Sequence, residues 1–419
     1  MIQKTTLDNG IRVLTEQMPG VHSVTLGVWV LNGSRNESPA QNGISHFIEH
    51  MLFKGTENRS ARDIALEIDS VGGILNAFTS REYCCFHAKL LAEKIPLAMD
   101  LLADVILNSV FNLDEMEKER RVILQEILMI EDDPEELVHD LFSRRFWQGH
   151  PLGMPIQGTL ETVGGISRDS LTAFVEEHFC GCNLLVCAAG NLEHADIVDL
   201  VAANFGRLSP GHGAVAKVPP LATRSLDFIE RDLEQVHFCL GTCSLSQNHP
   251  DRFASYLLNT ILGGSMSCRL FQKIREEHGL AYSIYSYLNC HSDAGAMVIY
   301  SATGNDNAAM VISLILQELR KLSIEPVSER ELTSAREQLK GNLLLSFEST
   351  ESRMMRLAKN EIYLGRYPSL MEIIAEFDRI GRDDLLRLSG ELFRDDFLNL
   401  QMVGRTGRID FPLLDLTLG

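Results

Sequence analysis

The chain repeats itself, and a duplicated sequence builds the same layered unit twice. In the first half, Ser60-Ala61-Arg62-Asp63 leads through a helical pattern to Gly72 and a strand-like run near Ala77. In the second, Ser267-Cys268-Arg269-Leu270 leads to Gly279 and a strand-like run near Ile284, at a constant offset of 207. His178-Phe179 and Leu392-Phe393 each precede an apolar strand that ends at Gly190 and Gly404, at an offset of 214. Each half also opens with a strand-like run, 24–31 and 236–242, and carries long helical patterns such as 113–130 and 329–346. Strands mixed with long helices in both halves predict an α+β fold: two homologous domains, each a mostly antiparallel sheet packed with helices. The Pro-, Gly- and Ala-rich stretch 209–225 separates a first domain, 1–208, from a second, 226–419. A chain of 419 residues exceeds the size at which a single core stops growing, which agrees with two domains.

The repeat is asymmetric in its chemistry. At the 207 offset His46 falls on Phe253 and His50 on Leu257, and Glu126, nearer the later offset of 214, corresponds approximately to Asn342. Only the first half could hold a metal ion in this way. Its polar cluster is His46-Phe47-Ile48-Glu49-His50, set in GISHFIEHMLFKGT at 43–56. Ile44, Phe47, Ile48, Met51 and Leu52 make this an apolar helix, where two histidines and a glutamate are costly unless paired or ligated. Residues four apart share a helix face, so His46 and His50 can bind one ion together. Two neutral imidazoles suit Zn²⁺, with a third protein ligand and one open position. Glu49 then lies beside the ion without ligating it, placed to move a proton for a hydrolytic reaction.

The net charge of −19 argues against nucleic acid and anionic membranes as partners. No apolar run is long enough for a transmembrane helix, and the opening MIQKTTLDNG shows no signal-peptide pattern, so a cytoplasmic location is expected. The nine scattered cysteines, with no Cys-x-x-Cys among them, read as free thiols in a reducing compartment.

The segment GISHFIEHMLFKGT resembles the inverzincins: pitrilysin, insulysin and, nearest in length and wording, the mitochondrial processing peptidase β-subunit and its single-chain bacterial relatives. The resemblance covers nearly the whole chain. It includes NAFTSREY at 76–83, ERRVILQEI at 119–127 and GGSMSCRLFQKIREEHGLAYSIYS at 263–286. It implies a zinc endopeptidase acting on unfolded or short peptides in a closed chamber, with one Zn²⁺ per chain. It implies Glu126, 76 residues beyond His50, as the third ligand, and Glu119, two turns earlier on the same face, as a carboxylate supporting the ligands. Glu49 is implied as the proton-transferring base.

The resemblance also assigns substrate contacts. Asn76 and the Ala77 backbone lie on a sheet-edge strand along which a peptide is bound, and Arg275 and Tyr282 form an Arg/Tyr pair that touches substrate. Phe53 is implied to line the pocket after the scissile bond, with core packing an equal reading. Glu136 and Asp140, four apart in the acidic run that begins at Glu131, match a pocket for an arginine before the cleaved bond; a solvated helix start is the competing reading. Peptides, basic ones among them, are thus the expected partners. A chain with two of the four domains that such chambers need is expected to form a homodimer, with the Arg/Tyr pair of one chain serving the zinc of the other. A non-catalytic or partner-dependent subunit of the same fold is the alternative, since the family holds members that have lost zinc ligands. His139, His150, His178 and His237 lack partners at ligand spacing and are expected to be structural.

Overall fold

The computed structural model describes residues 1–211, 217–405 and 416–418. The duplication predicted from the sequence is present in five strands of each sheet. The first sheet comprises β1 (Ile2–Thr6), β2 (Arg12–Gln17), β3 (Ser23–Val30), β4 (Ile74–Thr79), β5 (Cys84–Leu91) and β6 (Leu184–Gly190), in the order β1-β2-β6-β3-β5-β4. The second comprises β7 (Ser225–Glu230), β8 (Gln235–Ser244), β9 (Ala281–Cys290), β10 (Gly295–Gly304) and β11 (Asn399–Gly404), in the order β7-β11-β8-β10-β9. That order repeats β2-β6-β3-β5-β4, and β1 is an extra strand on the first sheet. Among the described residues, one parallel pair recurs in each sheet, β2 with β6 and β7 with β11, and the other described pairs are antiparallel.

The chain divides into two compact units: Met1–Leu128 with Met154–Ala216 and Leu345–Tyr367, and Met129–Gly153 with Lys217–Leu344 and Pro368–Gly419. Neither unit is a continuous half. The 1–208 and 226–419 division expected from the sequence differs in two segments, because each half contributes a helix to the unit built mainly from the other. Residues 212–216 of the expected linker lie outside the described residues.

Those helices explain why the strands read as unbroken apolar runs. In the first unit the period of two along a strand sends Val24, Leu26, Val28 and Val30 of β3 to one core, and Trp29 to another. Likewise Leu184, Val186 and Ala188 of β6 face the first core, while Leu185, Cys187 and Ala189 face the second. The first core is closed by helices that include α1 (Ile44–Leu52), α2 (Ala61–Ser70), α3 (Ile95–Leu107) and α4 (Leu113–Asp132). The second is closed by Met354, Leu357 and Ala358 of the helix Thr350–Tyr363. Covered on both faces, β6 can be apolar throughout, as LLVCAAG is. Polar bonds fix the added helix: Glu361 takes Lys4 Nζ at 2.8 Å and Arg12 Nη1 at 3.1 Å, Arg353 reaches Glu16 at 2.6 Å, and the hydroxyls of Thr25 and Thr350 meet at 2.8 Å.

In the second unit, α5 (Pro134–Phe146) plays the matching part. Its Leu137, Val138, Phe142 and Phe146 pack with Cys239, Val298, Tyr300 and Val403. His139 is bonded to Tyr287 Oη at 2.8 Å and Tyr285 Oη at 3.1 Å, and Tyr285 donates to Glu135 at 3.0 Å. His237 meets Tyr300 Oη at 2.9 Å. Both histidines are structural here.

Candidate active site

The helix α1 carries the His-x-x-Glu-His run. Its apolar residues Ile44, Phe47, Ile48, Met51 and Leu52 are buried against the sheet. The opposite face carries His46 and His50, one turn apart, with ring centroids 4.7 Å apart. The helix α4 runs past them and presents Glu126 and, two turns earlier, Glu119. Donor atoms of His46, His50 and Glu126 all lie within 4.8 Å of one another. Glu126 Oε2 is 3.9 Å from His46 Nε2 and 3.6 Å from His50 Nε2. A tetrahedral zinc site with bonds of about 2.1 Å has edges of roughly 3.4 Å, so these donors need only close slightly on an ion. Burial, with the neighbouring His50, lowers the His46 pKa to about 4, which keeps it the neutral imidazole that a metal requires. The donor set therefore fits zinc.

The flanking contacts are ordered. Glu119 Oε2 lies 3.2 Å from His50 Nδ1, and its other oxygen takes Lys54 Nζ at 2.8 Å. Glu49 stands apart from the three converging donors and accepts a hydrogen bond from Thr79 Oγ1 at 2.5 Å. Burial holds the Glu49 carboxyl above its usual range, and the Thr79 bond opposes that shift. Lys54 and Thr79 had no sequence assignment. Thr79 sits in NAFTSREY, but nothing in its spacing points at Glu49; the contact exists because β4 packs beside α1.

The remaining sequence-predicted residues fall in two places. A cleft of about 670 Å³ in the first unit is lined by Glu49, His50, Phe53, Ile68, Leu75 and Asn76, among others. Phe53 packs on the core and also lines this cleft. Asn76 and Ala77 lie on β4, the outermost strand of its sheet, and Ala77 N–H donates to Asn76 Oδ1 at 2.8 Å. In the second unit, Arg275 lies in a π-helical turn, Phe271–Glu277, with its guanidinium 5.0 Å from the Tyr282 ring and 4.6 Å from that of Phe271. Tyr282 is 79% exposed. At the 207 offset, Arg275 and Tyr282 correspond to Ile68 and Leu75, two walls of the cleft in the first unit. Glu136 and Asp140 lie on α5; burial and then the charges of Asp133, Glu135 and Asp140 raise the pKa of Glu136. The helix matching α1 in the second unit, Arg252–Leu262, places Phe253 and Leu257 in its core and has no polar pair at those positions.

Two family models match the chain: Insulinase (Peptidase family M16) matches residues 12–160, and Peptidase M16 inactive domain matches residues 165–339. The uncharacterized zinc protease YmxG of Bacillus subtilis strain 168 is 41% identical over 410 residues, covering 98% of this chain and 100% of that protein. The chain belongs to the insulinase family of peptidases.

Further proteins are similar to this insulinase-family chain. An uncharacterized zinc protease of Streptomyces coelicolor is 38% identical over 394 residues, covering 92% of this chain and 85% of that one. Among solved structures, a peptidase M16 inactive domain from Pseudomonas fluorescens superposes with a TM-score of 0.89 at 21% identity, covering 96% of this chain and 98% of that one. A protease from Helicobacter pylori gives 0.88 at 20% identity, covering 96% and 99%. These likenesses show that the duplicated α+β fold is shared. Among the described residues, no helix is long and apolar enough to cross a membrane.

Proposed function

We propose that the chain is a zinc endopeptidase that hydrolyses unfolded or short peptides in a closed chamber. The observation that carries this reading is the convergence of His46, His50 and Glu126, with Glu49 beside them but outside the set. His46, His50 and Glu126 would hold a zinc ion, which would supply Lewis acidity and lower the pKa of a water from about 15.7 to about 7. Glu49 takes a proton from the attacking water and returns it to the leaving amine; its burial, which raises its proton affinity, suits it to hold that proton in between. Thr79 holds the carboxylate in place, and Glu119 fixes the tilt of the His50 ring. The free edge of β4 takes the peptide as an added strand along Asn76 and Ala77.

Arg275 and Tyr282 grip the substrate and steady the charge that develops on its carbonyl oxygen. Their correspondence with the cleft walls Ile68 and Leu75 supports a role at an equivalent surface. In this reading they act on the zinc site of a second copy, in a homodimer. We place the enzyme in the cytoplasm of a bacterium; the bacterial relatives support the bacterial origin.

Glu49→Gln provides the test. The variant should keep one zinc per chain, measured by elemental analysis, and lose about 10²- to 10⁴-fold in peptide turnover. Chelation should abolish wild-type activity. Unchanged turnover in Glu49→Gln would remove Glu49 from the mechanism, and a wild type that neither binds zinc nor cleaves peptides would leave the non-catalytic alternative.

A further inference from the structure

The start of α1 lacks the usual N-cap. The position is held by Gly43, at φ +93, which has no side chain to accept the orphan N–H groups of the first turn. A capping side chain has no room there, because a Cβ on Gly43 would stand 2.7 Å from the carbonyl oxygen of Gln157 and 2.8 Å from Gly158 Cα. Yet the helix must start in register, since His46 is only its third residue.

The acceptor comes from six residues upstream. Glu37 Oε2 takes the Gly43 N–H at 2.8 Å and Asn42 Nδ2 at 3.1 Å, and its Oε1 takes the Ser45 N–H at 2.9 Å. Asn42 is itself tied to the Pro155 carbonyl at 2.8 Å, so the cap is braced on both sides. Glu37 is 3% exposed. A buried carboxylate is expensive unless hydrogen-bonded, and a helix N-terminus is where such a charge is favoured. One carboxylate thus spans two backbone donors flanking the start of the helix, immediately before the first histidine.

We infer that Glu37 is a positioning residue for the metal site: by capping α1 it sets the height and rotation at which His46 faces His50 and Glu126. This rests on the zinc reading above and adds a determinant of affinity outside the ligand set. Glu37 lies outside the donor set and the lining of the cleft, so its loss should loosen the metal and lower turnover without altering the contacts made by peptide. The side-chain amide of Glu37→Gln turns one acceptor into a donor that faces N–H groups. Glu37→Ala leaves the donors buried without an acceptor.

The experiment measures zinc dissociation constants by competition with a chromophoric chelator for wild type, Glu37→Gln and Glu37→Ala. It is paired with the visible spectrum of each cobalt-loaded protein and with kcat and KM at saturating zinc. The expected results are roughly ten-fold weaker zinc in Glu37→Gln, a larger loss in Glu37→Ala, altered cobalt d–d bands, and a lowered kcat with KM for the peptide unchanged. If Glu37→Ala does not fold, Glu37→Gln decides alone. Wild-type zinc affinity with a wild-type cobalt spectrum in a folded Glu37→Gln overturns the inference, as does a rise in KM at constant kcat. A wild type that fails to bind zinc would instead overturn the reading on which the inference rests, so the two failures are distinguishable.

Discussion

Glu119 connects the charge of Lys54 to the orientation of His50. Its two oxygens are both engaged, one by the imidazole Nδ1 and one by the ammonium. Removing the carboxylate frees the His50 ring to rotate and leaves Lys54 near the site without its partner, so both effects oppose a cation. Glu119→Ala should therefore weaken zinc about 10- to 100-fold, measured by chelator competition, while the fold survives. Wild-type affinity in that variant would reduce Glu119 to a salt-bridge partner. At this scale much was legible beforehand. His46, Glu49 and His50 announce themselves by spacing on one apolar helix, whereas Glu126 and Glu119 follow only from the resemblance to the inverzincins, since either alone reads as an ordinary helix glutamate. Lys54, Thr79 and Glu37 were not legible, because each acts through a contact between elements that periodicity does not encode.

The elements that most distinguish this fold from two beads on a string are the exchanged helices. The helix Thr350–Tyr363 covers Trp29, Cys85, Leu185 and Cys187 in the first unit, and α5 covers Cys239, Val298 and Tyr300 in the second. A chain cut within 212–216 should therefore yield halves that are insoluble when expressed separately, since each exposes one apolar sheet face. Co-expression should restore a soluble complex. Two halves that are monomeric and cooperatively folded on their own would show that the exchange is dispensable. On α5 itself, Glu136 and Asp140 stand four apart and so share a face. A bidentate arginine contact is worth about 1.5–3 kcal/mol, roughly a ten- to hundred-fold preference. Cleavage-site profiling should show arginine enriched before the scissile bond, and Glu136→Ala/Asp140→Ala should erase the enrichment. An unchanged profile would leave the pair as a solvated helix start. The raised pKa of Glu136 means that the preference should fade as pH falls and that carboxyl is protonated.

For the whole molecule, the outstanding question is whether one chain completes a site. Glu49→Gln and Arg275→Ala/Tyr282→Phe should each be inactive. Refolded together, they should regain activity if the Arg/Tyr pair serves the zinc of another copy, because about half of randomly paired dimers contain one intact set. A mixture that stays inactive would place the pair in cis, and a fully active monomer would exclude the shared site.

The duplicated α+β architecture could be read from residue order alone, because the pattern of strands and helices is local and recurs at a fixed offset. The chemistry of α1 could be read for the same reason: ligand spacing on a helix is a property of 3.6 residues per turn. The partition of the chain into its two units could not. Both sheets have two apolar faces, and any amphipathic helix of sufficient length would cover either one. The choice was made by specific side-chain fit: Glu361 with Lys4 and Arg12, Thr350 with Thr25, and His139 among its tyrosines. These pairs lie 146 to 357 residues apart in the chain, and only folding brings them together.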